Sequence, residues 1–523
     1  MRSNIVLYIN GREHRPHGAD VFMPLTDYLR YHQSMLGTKV VCAEGDCGAC
    51  TVLIGRIKDP AAQELATKDL AIKDLTTKDL ATKDASSSVG KLTYVPVNGC
   101  IQYIYQLDGC HVITVEGLTA GSKCHKELNP VQESMVKNNG AQCGYCTPGF
   151  IVAMSAVAYC PELVYRDTSA SAQPGCHSAE QIKDALTGNL CRCTGYEAIV
   201  KAGLESQFSE FTPLSSLFEE AKIAQHLALL NADEVFIESD GREFYLPATV
   251  ETCSQYLAQH PDSTLVSGGT DVSVNCNKRG FCPPSVVSTA RLPGLASIDT
   301  LVEDGRKVLR VGGRVTLSQL ERTMYEQMPQ LNHLLWTFGS PQIRLAGTLA
   351  GNIANGSPIA DTIPYLICLD GAVEASSTRG KRRIAMRDFY LGYKTLALAK
   401  DEVITAIYLP LPHDDEIVRL YKITRREHLD ISSFTAAISL KLSATQTIER
   451  ASVVFGGVAA TVMHIDAVEN FLVGKEHSLA TFVEAGKLAK ESIKPITDVR
   501  GSKDYRLQLA QNIMRKFYFE TIN

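Results

Sequence analysis

No stretch of this sequence is apolar for long enough to cross a bilayer: the longest mostly apolar run, Gly149 to Ala158, is about half of the ~20 residues such a helix needs. The chain also lacks a Lys/Arg-rich cluster. With 52 basic and 57 acidic residues the formal charge is −5, so the electrostatic footprint of a nucleic-acid or anionic-membrane binder is missing. The N-terminal apolar run, Ile5 to Ile9, stops at Asn10-Gly11 and is too short for the apolar region of a secretory signal, which predicts a cytoplasmic protein. No Gly-x-Gly-x-x-Gly follows a strand, which argues against a Rossmann nucleotide site. What remains is ordinary in bulk: 45% hydrophobic and 21% charged residues exclude a disordered or fibrous protein. A length of 523 residues predicts about three or four domains.

The organisation changes along the chain. Ile5 to Ile9 followed by Asn10-Gly11 reads as a strand entering a type I′ hairpin, since both turn positions need positive φ. Thr93 to Val97 and His111 to Val115 read as further strands, and from about Leu118 the pattern becomes helical, with helices over 130–136, 150–158 and 178–186. Between the strands, Glu64–Lys68, Asp69–Lys73, Asp74–Lys78 and Asp79–Lys83 repeat a five-residue unit in which an acid precedes a lysine by four positions. Such pairs favour a helix slightly, but a five-residue step turns about 140° around it, so the leucines spiral and bury no continuous stripe. The repeat is therefore expected to be a solvated insertion. A polar stretch over 206–233 has the texture of a linker with one helix, and beyond it mixed strands, turns and helices indicate an α+β region with a boundary near 413–417.

The anomaly is sixteen cysteines in a chain expected to stay in a reducing compartment, which points to metal or redox chemistry instead of disulfides. Cys42, Cys47 and Cys50 have the Cys-x4-Cys-x2-Cys spacing of plant-type [2Fe–2S] centres, with Cys100 the best fourth ligand. The small residues between them, Gly45, Asp46, Gly48 and Ala49, let backbone N–H groups turn toward sulfur. Four thiolates also suit zinc. A second group, Cys143-Gly-Tyr-Cys146 and Cys191-Arg-Cys193, is open on spacing alone to zinc, a thiol redox pair or another cluster. Thr147-Pro148-Gly149 and Thr194-Gly195-Tyr196 put tight turns ahead of helices there, where N–H groups could meet a negatively charged cluster. The other eight, Cys110, Cys124, Cys160, Cys176, Cys253, Cys276, Cys282 and Cys368, are expected to be free thiols without a redox role.

Three strings, Cys42-Ala-Glu-Gly-Asp-Cys-Gly-Ala-Cys-Thr51, Gln142-Cys-Gly-Tyr-Cys-Thr-Pro-Gly149 and Gly188-Asn-Leu-Cys-Arg-Cys-Thr-Gly-Tyr196, resemble the iron–sulfur and flavin part of the molybdenum hydroxylase family, its bacterial xanthine dehydrogenase members in particular. The resemblance runs over most of the chain, with the repeat and 165–177 as local insertions. It implies a multidomain α+β fold: a β-grasp, ferredoxin-like [2Fe–2S] domain over 1–118 with an insertion over 58–89, an all-α [2Fe–2S] domain over 119–205, a linker over 206–233, an α+β FAD-binding domain over 234–413 and a C-terminal α+β lobe over 414–523. Both cysteine quartets then hold [2Fe–2S] clusters, and Cys100 carries over as the last ligand of the first.

Leu265-Val-Ser-Gly-Gly-Thr-Asp271 reads by itself as a strand entering an ordinary glycine turn. The stretch Gly347 to Asp361 mixes small residues with Thr, Asn, Ser and Asp that can bind diphosphate and ribose. Together with Phe338-Gly339-Ser340, both look like the family's FAD-binding segments. The resemblance assigns Leu265, Val266, Ser267, Gly268, Gly269, Thr270, Asp271 and Val272 to the diphosphate, Phe338 to packing against the cofactor, and Thr348, Gly351, Asn352, Ser357 and Asp361 to its cradle. Ile404 and Lys422 match further flavin contacts. The loop Thr424 to Asp430 resembles the segment beside the flavin ring, but Glu427, His428 and Leu429 depart from the more strongly charged family pattern. The implied role is electron transfer from a molybdenum cofactor on a separate large subunit, through two clusters to FAD and NAD+, in an assembly of two small and two large chains. No side chain is assigned acid–base catalysis. The alternatives are the equivalent subunit of an aldehyde or N-heterocycle hydroxylase, and an iron–sulfur scaffold without catalysis.

Overall fold

The computed structural model describes residues 1–57, 91–119, 127–160, 163–166, 177–230 and 232–522. The pentad repeat, the whole insertion over 58–89, Cys124, Cys176 and most of the insertion over 165–177 lie outside the described residues. The chain forms two units, one of Met1–Thr249, Asp262–Pro293 and Ser340–Ala346, the other of Val250–Pro261, Gly294–Gly339 and Gly347–Asn523.

The first unit opens with a hairpin of β1 (Leu7–Ile9) and β2 (Arg12–His14). Ile9 pairs with Arg12, and the two loop residues Asn10 and Gly11 have φ of 48° and 81°, the signs a type I′ turn requires. With β3 (Thr51–Ile57), β4 (Leu92–Asn98) and β5 (Cys110–Ile113) the hairpin forms a sheet of order β2-β1-β5-β3-β4. β1 and β5 are parallel and the other pairs antiparallel. Alternation divides β3 between two cores. Val52 and Ile54 pack with Leu7, Ile9, Val97 and Val112, while Leu53 turns to the other face with Tyr94 and Ile113. The predicted strand 111–115 ends at Ile113, because a 3-10 turn begins at Val115.

That second core is filled by helices α1 (Pro130–Lys137), α2 (Thr147–Tyr159), α3 (Ala179–Ala185) and α4 (Glu197–Glu205). Capping boxes start α1 at Asn129/Gln132 and α3 at Ser178/Gln181. α2 is apolar all round and buried from Gly149 to Val157, as expected of the central helix of a bundle. The polar stretch after α4 differs from its linker texture. It forms two helices, Leu214–Leu217 and α5 (Glu220–Leu229), and Leu214, Ile223, Ala224 and Leu227 are buried in the same core. The few apolar side chains recur at helical spacing, and that outweighs the polar average.

A second sheet in this unit, of order β6-β7-β9-β8, comprises β6 (Val235–Ser239), β7 (Arg242–Leu246), β8 (Thr264–Val266) and β9 (Ser285–Ser288). Val235, Ile237, Phe244, Val266 and Val286 share the core of β1, β3 and β5. Helix α6 (Val272–Arg279) follows β8 through a glycine turn and ends at Gly280, which takes the left-handed conformation with φ 65°.

The second unit contains an antiparallel sheet ordered Ile298–Glu303, Arg306–Gly312, Val403–Pro410, Ala372–Ser377, Gly380–Ala385. A second antiparallel sheet follows, ordered Glu416–Ile423, Phe434–Leu442, Ile448–Gly456, Met463–His464. Helices Asp466–Leu472, Leu479–Glu491 and Lys503–Phe519 bury Val468, Phe482, Met514 and Phe517 with its strand residues Phe434, Ile438 and Phe455. The first of these sheets ends at Pro410 and the second begins at Glu416, within one unit. Among the described residues, no helix is long and apolar enough to cross a membrane.

Candidate functional site

The loop ahead of β3 carries Cys42, Cys47 and Cys50, and a 3-10 turn after β4, Gly99–Ile101, carries Cys100. Positive φ at Ala43 (56°), Gly45 (79°) and Gly48 (66°) curls the loop inward. As a result the Glu44 and Cys47 N–H groups donate to Cys42 Sγ at 3.5 and 3.4 Å. Asn98 Nδ2 donates to Gly45 O at 2.8 Å and ties the loop to the end of β4. Contact with Cys100 and Cys47 holds the Cys42 thiol far below its usual range, while contact with Cys42 and burial push Cys47 and Cys100 up. Cys47, Cys50 and Cys100 are buried, and Ile101, Val274 and Ile343 pack against the last two.

In the helical part, Cys146 is the residue ahead of α2, and Tyr196, at φ 71°, is the one ahead of α4. The two short cysteine pairs interleave. Cys143 Sγ lies 3.6 Å from Cys193 Sγ, and Cys146 shares a hydrogen bond with Cys191. Cys191 Sγ accepts from Thr194 Oγ1 at 3.2 Å and from Cys193 N–H at 3.5 Å, and the Cys191 N–H donates to Tyr196 Oη at 2.9 Å. Against the cost of burial, these donors bring the Cys191 thiol down to about 7, whereas burial and the Cys191 contact push Cys146 up to about 12.

Zinc and diiron centres make different demands on this geometry. A Zn–S bond of about 2.3 Å puts all four sulfurs of a tetrahedral site roughly 3.8 Å from one another. Among the described residues, the only three or more His, Cys, Asp or Glu donors mutually within 4.8 Å are His464, Asp466 and Glu469. Neither quartet has three sulfurs within that spacing as it stands. The first group is linked through Cys42, which contacts both Cys47 and Cys100, and the second through Cys143 with Cys193 and Cys146 with Cys191; in each, N–H donors turn toward a sulfur, as an anionic centre requires. In the His464 group the two imidazole nitrogens each face a carboxylate at 2.8 Å, and these carboxylates hold the imidazole up against its burial, as in an ion pair.

The two quartets are joined directly. Leu190, one residue before Cys191, donates its N–H to Cys47 O at 3.0 Å. Asn189 Nδ2 donates to Gly48 O at 3.1 Å and its Oδ1 accepts from Gln342 Nε2 at 2.9 Å. Glycine is needed at this contact: a Cβ on Gly48 would lie 2.2 Å from Gly188 O, and one on Gly149 2.2 Å from Gly48 O.

Leu265 and Val266 end β8, and Ser267, Gly268, Gly269, Thr270 and Asp271 turn into α6 at Val272. Gly269 has φ 71°, and a Cβ there would lie 2.2 Å from Gln106 Nε2, which instead donates to Gly268 O at 3.3 Å. Among the described residues, the N–H groups of Gly268, Gly269 and Thr270 have no partner, so the turn has the donors an anion would need.

The remaining predicted flavin residues belong to the second unit. Thr348 caps the helix Leu349–Ala354 by accepting from Gly351 N–H at 3.0 Å. Asn352 Oδ1 accepts from Thr362 Oγ1 at 2.7 Å, and Ser357 Oγ accepts from Ile359 N–H at 3.4 Å. Asp361 is buried; it forms a 2.7 Å ion pair with buried Lys422 and accepts from Ser432 Oγ at 2.6 Å. Lys422 Nζ also donates to Thr337 O at 3.1 Å and stands 5.7 Å over the Phe338 ring. Ile404 is buried in the strand Val403–Pro410. In the loop over 424–430, Asp430 Oδ2 accepts from the Arg425 and Arg426 N–H groups, Leu429 has φ 60°, and the His428 ring meets Trp336 edge-on at 4.4 Å.

Three family profiles match the chain: "[2Fe-2S] binding domain" over 114–204, "FAD binding domain in molybdopterin dehydrogenase" over 238–412, and "CO dehydrogenase flavoprotein C-terminal domain" over 419–521. The chain belongs to the molybdenum hydroxylase family. As a molybdenum hydroxylase chain it is 27% identical to the xanthine dehydrogenase of Drosophila pseudoobscura pseudoobscura, with 99% of the chain and 39% of that protein covered. It is also 27% identical to the xanthine dehydrogenase of Oryza sativa, with 98% and 39% covered. It thus spans about two fifths of the length of these relatives. Similar solved structures include quinoline 2-oxidoreductase from Pseudomonas putida 86, at 26% identity and TM-score 0.48, covering 53% of this chain and 94% of that one. Another is reconstituted CO dehydrogenase from Oligotropha carboxidovorans, at 26% and 0.48, covering 52% and 94%.

Within this molybdenum hydroxylase chain, sequence reasoning missed the amides beside the cysteine loops, Asn98, Asn189 and Gln342, and Gln106 at the glycine turn. Asn189 sits inside a quoted motif, so its place beside Cys191 is a usable signal. The others are single polar residues whose partners are distant in sequence.

Proposed function

We propose that this chain is the electron-transfer subunit of a xanthine dehydrogenase, working with a molybdenum-binding large subunit that converts hypoxanthine and xanthine to urate. On this reading Cys42, Cys47, Cys50 and Cys100 hold one [2Fe–2S] cluster in a β-grasp domain over 1–118, and Cys143, Cys146, Cys191 and Cys193 hold another in an all-α domain over 119–205. FAD belongs to the domain over 234–413, with the lobe over 414–523 completing the flavoprotein. When bound, these groups supply one-electron conduction and two-electron exchange with NAD+.

The observation that carries the reading is the hydrogen bond from Leu190 N–H to Cys47 O, which joins a ligand of one quartet to the neighbour of a ligand of the other. The chain's own residues have definite tasks around it. Cys143 and Cys193 are exposed, and exposed Tyr145, Leu190 and Tyr196 surround them with apolar surface suited to a partner subunit. The second quartet is therefore the entry side and the buried first quartet the inner one. Gly268, Gly269 and Thr270 offer N–H groups to a diphosphate, with Leu265 to Val272 framing it. Phe338, Thr348, Gly351, Asn352, Ser357, Asp361, Ile404 and Lys422 are assigned to the rest of the flavin. The assembly is two small and two large chains in the cytoplasm.

Co-purification under anaerobic conditions tests this proposal. A molybdenum-containing partner, purine oxidation, and flavin absorbance bleached by NADH are expected. A partner that oxidises aldehydes or another heterocycle would contradict the substrate, and a flavin-free complex would contradict the electron-transfer role.

A further inference from the structure

Helix α6 leaves the glycine turn after β8 and ends against the cysteine loop, where the side chain of Asn277 meets three partners. Its Nδ2 donates to Ala43 O at 3.0 Å and to Cys100 O at 2.8 Å, and its Oδ1 accepts from Tyr103 Oη at 2.9 Å. Two carbonyl neighbours require the NH2 group on their side, so the orientation of the amide is fixed and both of its protons are used.

The contact with Ala43 matters most. Ala43 has φ 56°, a left-handed conformation that strains a residue with a Cβ. The peptide between Ala43 and Glu44 has its carbonyl on Asn277 and its N–H on Cys42 Sγ at 3.5 Å. If that peptide turned over to relieve the strain, the N–H would leave the sulfur and a carbonyl oxygen would take its place. The Lys278–Glu44 pair at 3.5 Å also spans the two segments, but both side chains are largely solvated, so it restrains the peptide weakly.

We infer that Asn277 is a positioning residue that holds the strained Ala43–Glu44 peptide with its N–H on Cys42 Sγ, and so sets the reduction potential of the first iron–sulfur centre from the helix that begins at the flavin turn. This rests on the proposed iron–sulfur reading of Cys42, Cys47, Cys50 and Cys100. Hydrogen bonds to cluster sulfurs stabilise the extra negative charge of the reduced state, so losing one lowers the potential.

The test is a redox titration of the anaerobically purified holoprotein, followed by electron paramagnetic resonance. Asn277→Leu removes both donors at similar volume. The expected result is a shift of about tenfold toward the oxidised form in one of two signals, ~59 mV for one electron, with the other signal unmoved. Adding Ala43→Gly should recover most of the shift, because glycine takes φ near +60° without strain and keeps the peptide in place unaided. A residue that only supported the fold would lower thermal stability without moving a potential, and Ala43→Gly would not compensate. Unchanged potentials in Asn277→Leu, an equal shift of both signals, or no recovery in the double variant would overturn the inference. Should Asn277→Leu not retain iron, Tyr103→Phe removes only the hydroxyl that fixes the amide; a smaller shift of the same sign is expected, and none would overturn the inference. Wild-type protein without two such signals would instead overturn the iron–sulfur reading beneath it.

Discussion

At the scale of single residues, the two kinds of site depend on different chemistry. On the proposed reading the cysteines act through sulfur as a ligand, and it was their type and spacing that singled them out in the sequence. Lys422 and Asp361 matter through burial: an ion pair removed from water survives only while both partners are present. Asp361→Asn leaves the ammonium with Thr337 O and a neutral amide, and is expected to destabilise the second unit by about 3–5 kcal/mol and lower flavin content, measured by urea unfolding and absorbance. An unchanged unfolding midpoint would mean that the pair is not buried in solution. Asp361 could have been an ordinary helix cap on sequence alone, yet the next helix starts after Thr362 without a side-chain cap, and the Asp361 carboxylate instead faces Lys422 and Ser432. Asn277, Gln106 and Gln342 were illegible because a lone amide has no period or motif; its meaning comes from carbonyls brought to it by distant segments.

At the scale of elements, β5 shows how the first sheet is fastened. His111 is fully buried on it, accepting from Gly11 N–H at Nε2 and meeting Tyr94 Oη at Nδ1, 3.0 and 2.8 Å away. Burial lowers its imidazole from 6.5 to about 4, so the folded protein keeps the ring neutral while the unfolded chain takes up a proton below about 6.5. The stability this contributes is complete above pH 6.5 and is lost as the pH falls toward 4, about 3 kcal/mol in all. His111→Gln is expected to flatten that part of the pH–stability curve, followed by denaturant midpoints between pH 4 and 7; an unaltered slope would assign it to other groups. The first hairpin was legible from Asn10-Gly11, and three helices of the bundle from their helical pattern. The segment over 206–233 was not: its average composition is polar, and only the burial of Leu214, Ile223, Ala224 and Leu227 shows that it is part of a core.

At the scale of the molecule, each unit is held by its own sheets, and the repeat enters at a point where its removal needs little rearrangement. Ile57 and Leu92, which flank the insertion, are paired partners on β3 and β4, so a short turn can join them. Deleting Glu64 to Lys83 is expected to leave iron content and thermal midpoint unchanged, and loss of the first cluster would show that the repeat supports it. The family was legible from three cysteine-bearing strings. The substrate was not, because the chain spans only 39% of the xanthine dehydrogenases it resembles. The central claim is that eight cysteines in the first unit hold two separate diiron centres. Metal analysis with electron paramagnetic resonance of the dithionite-reduced, anaerobically isolated chain tests it most directly: equal amounts of iron and labile sulfide with two distinct signals are expected, and zinc, or a single reducible species, would contradict it.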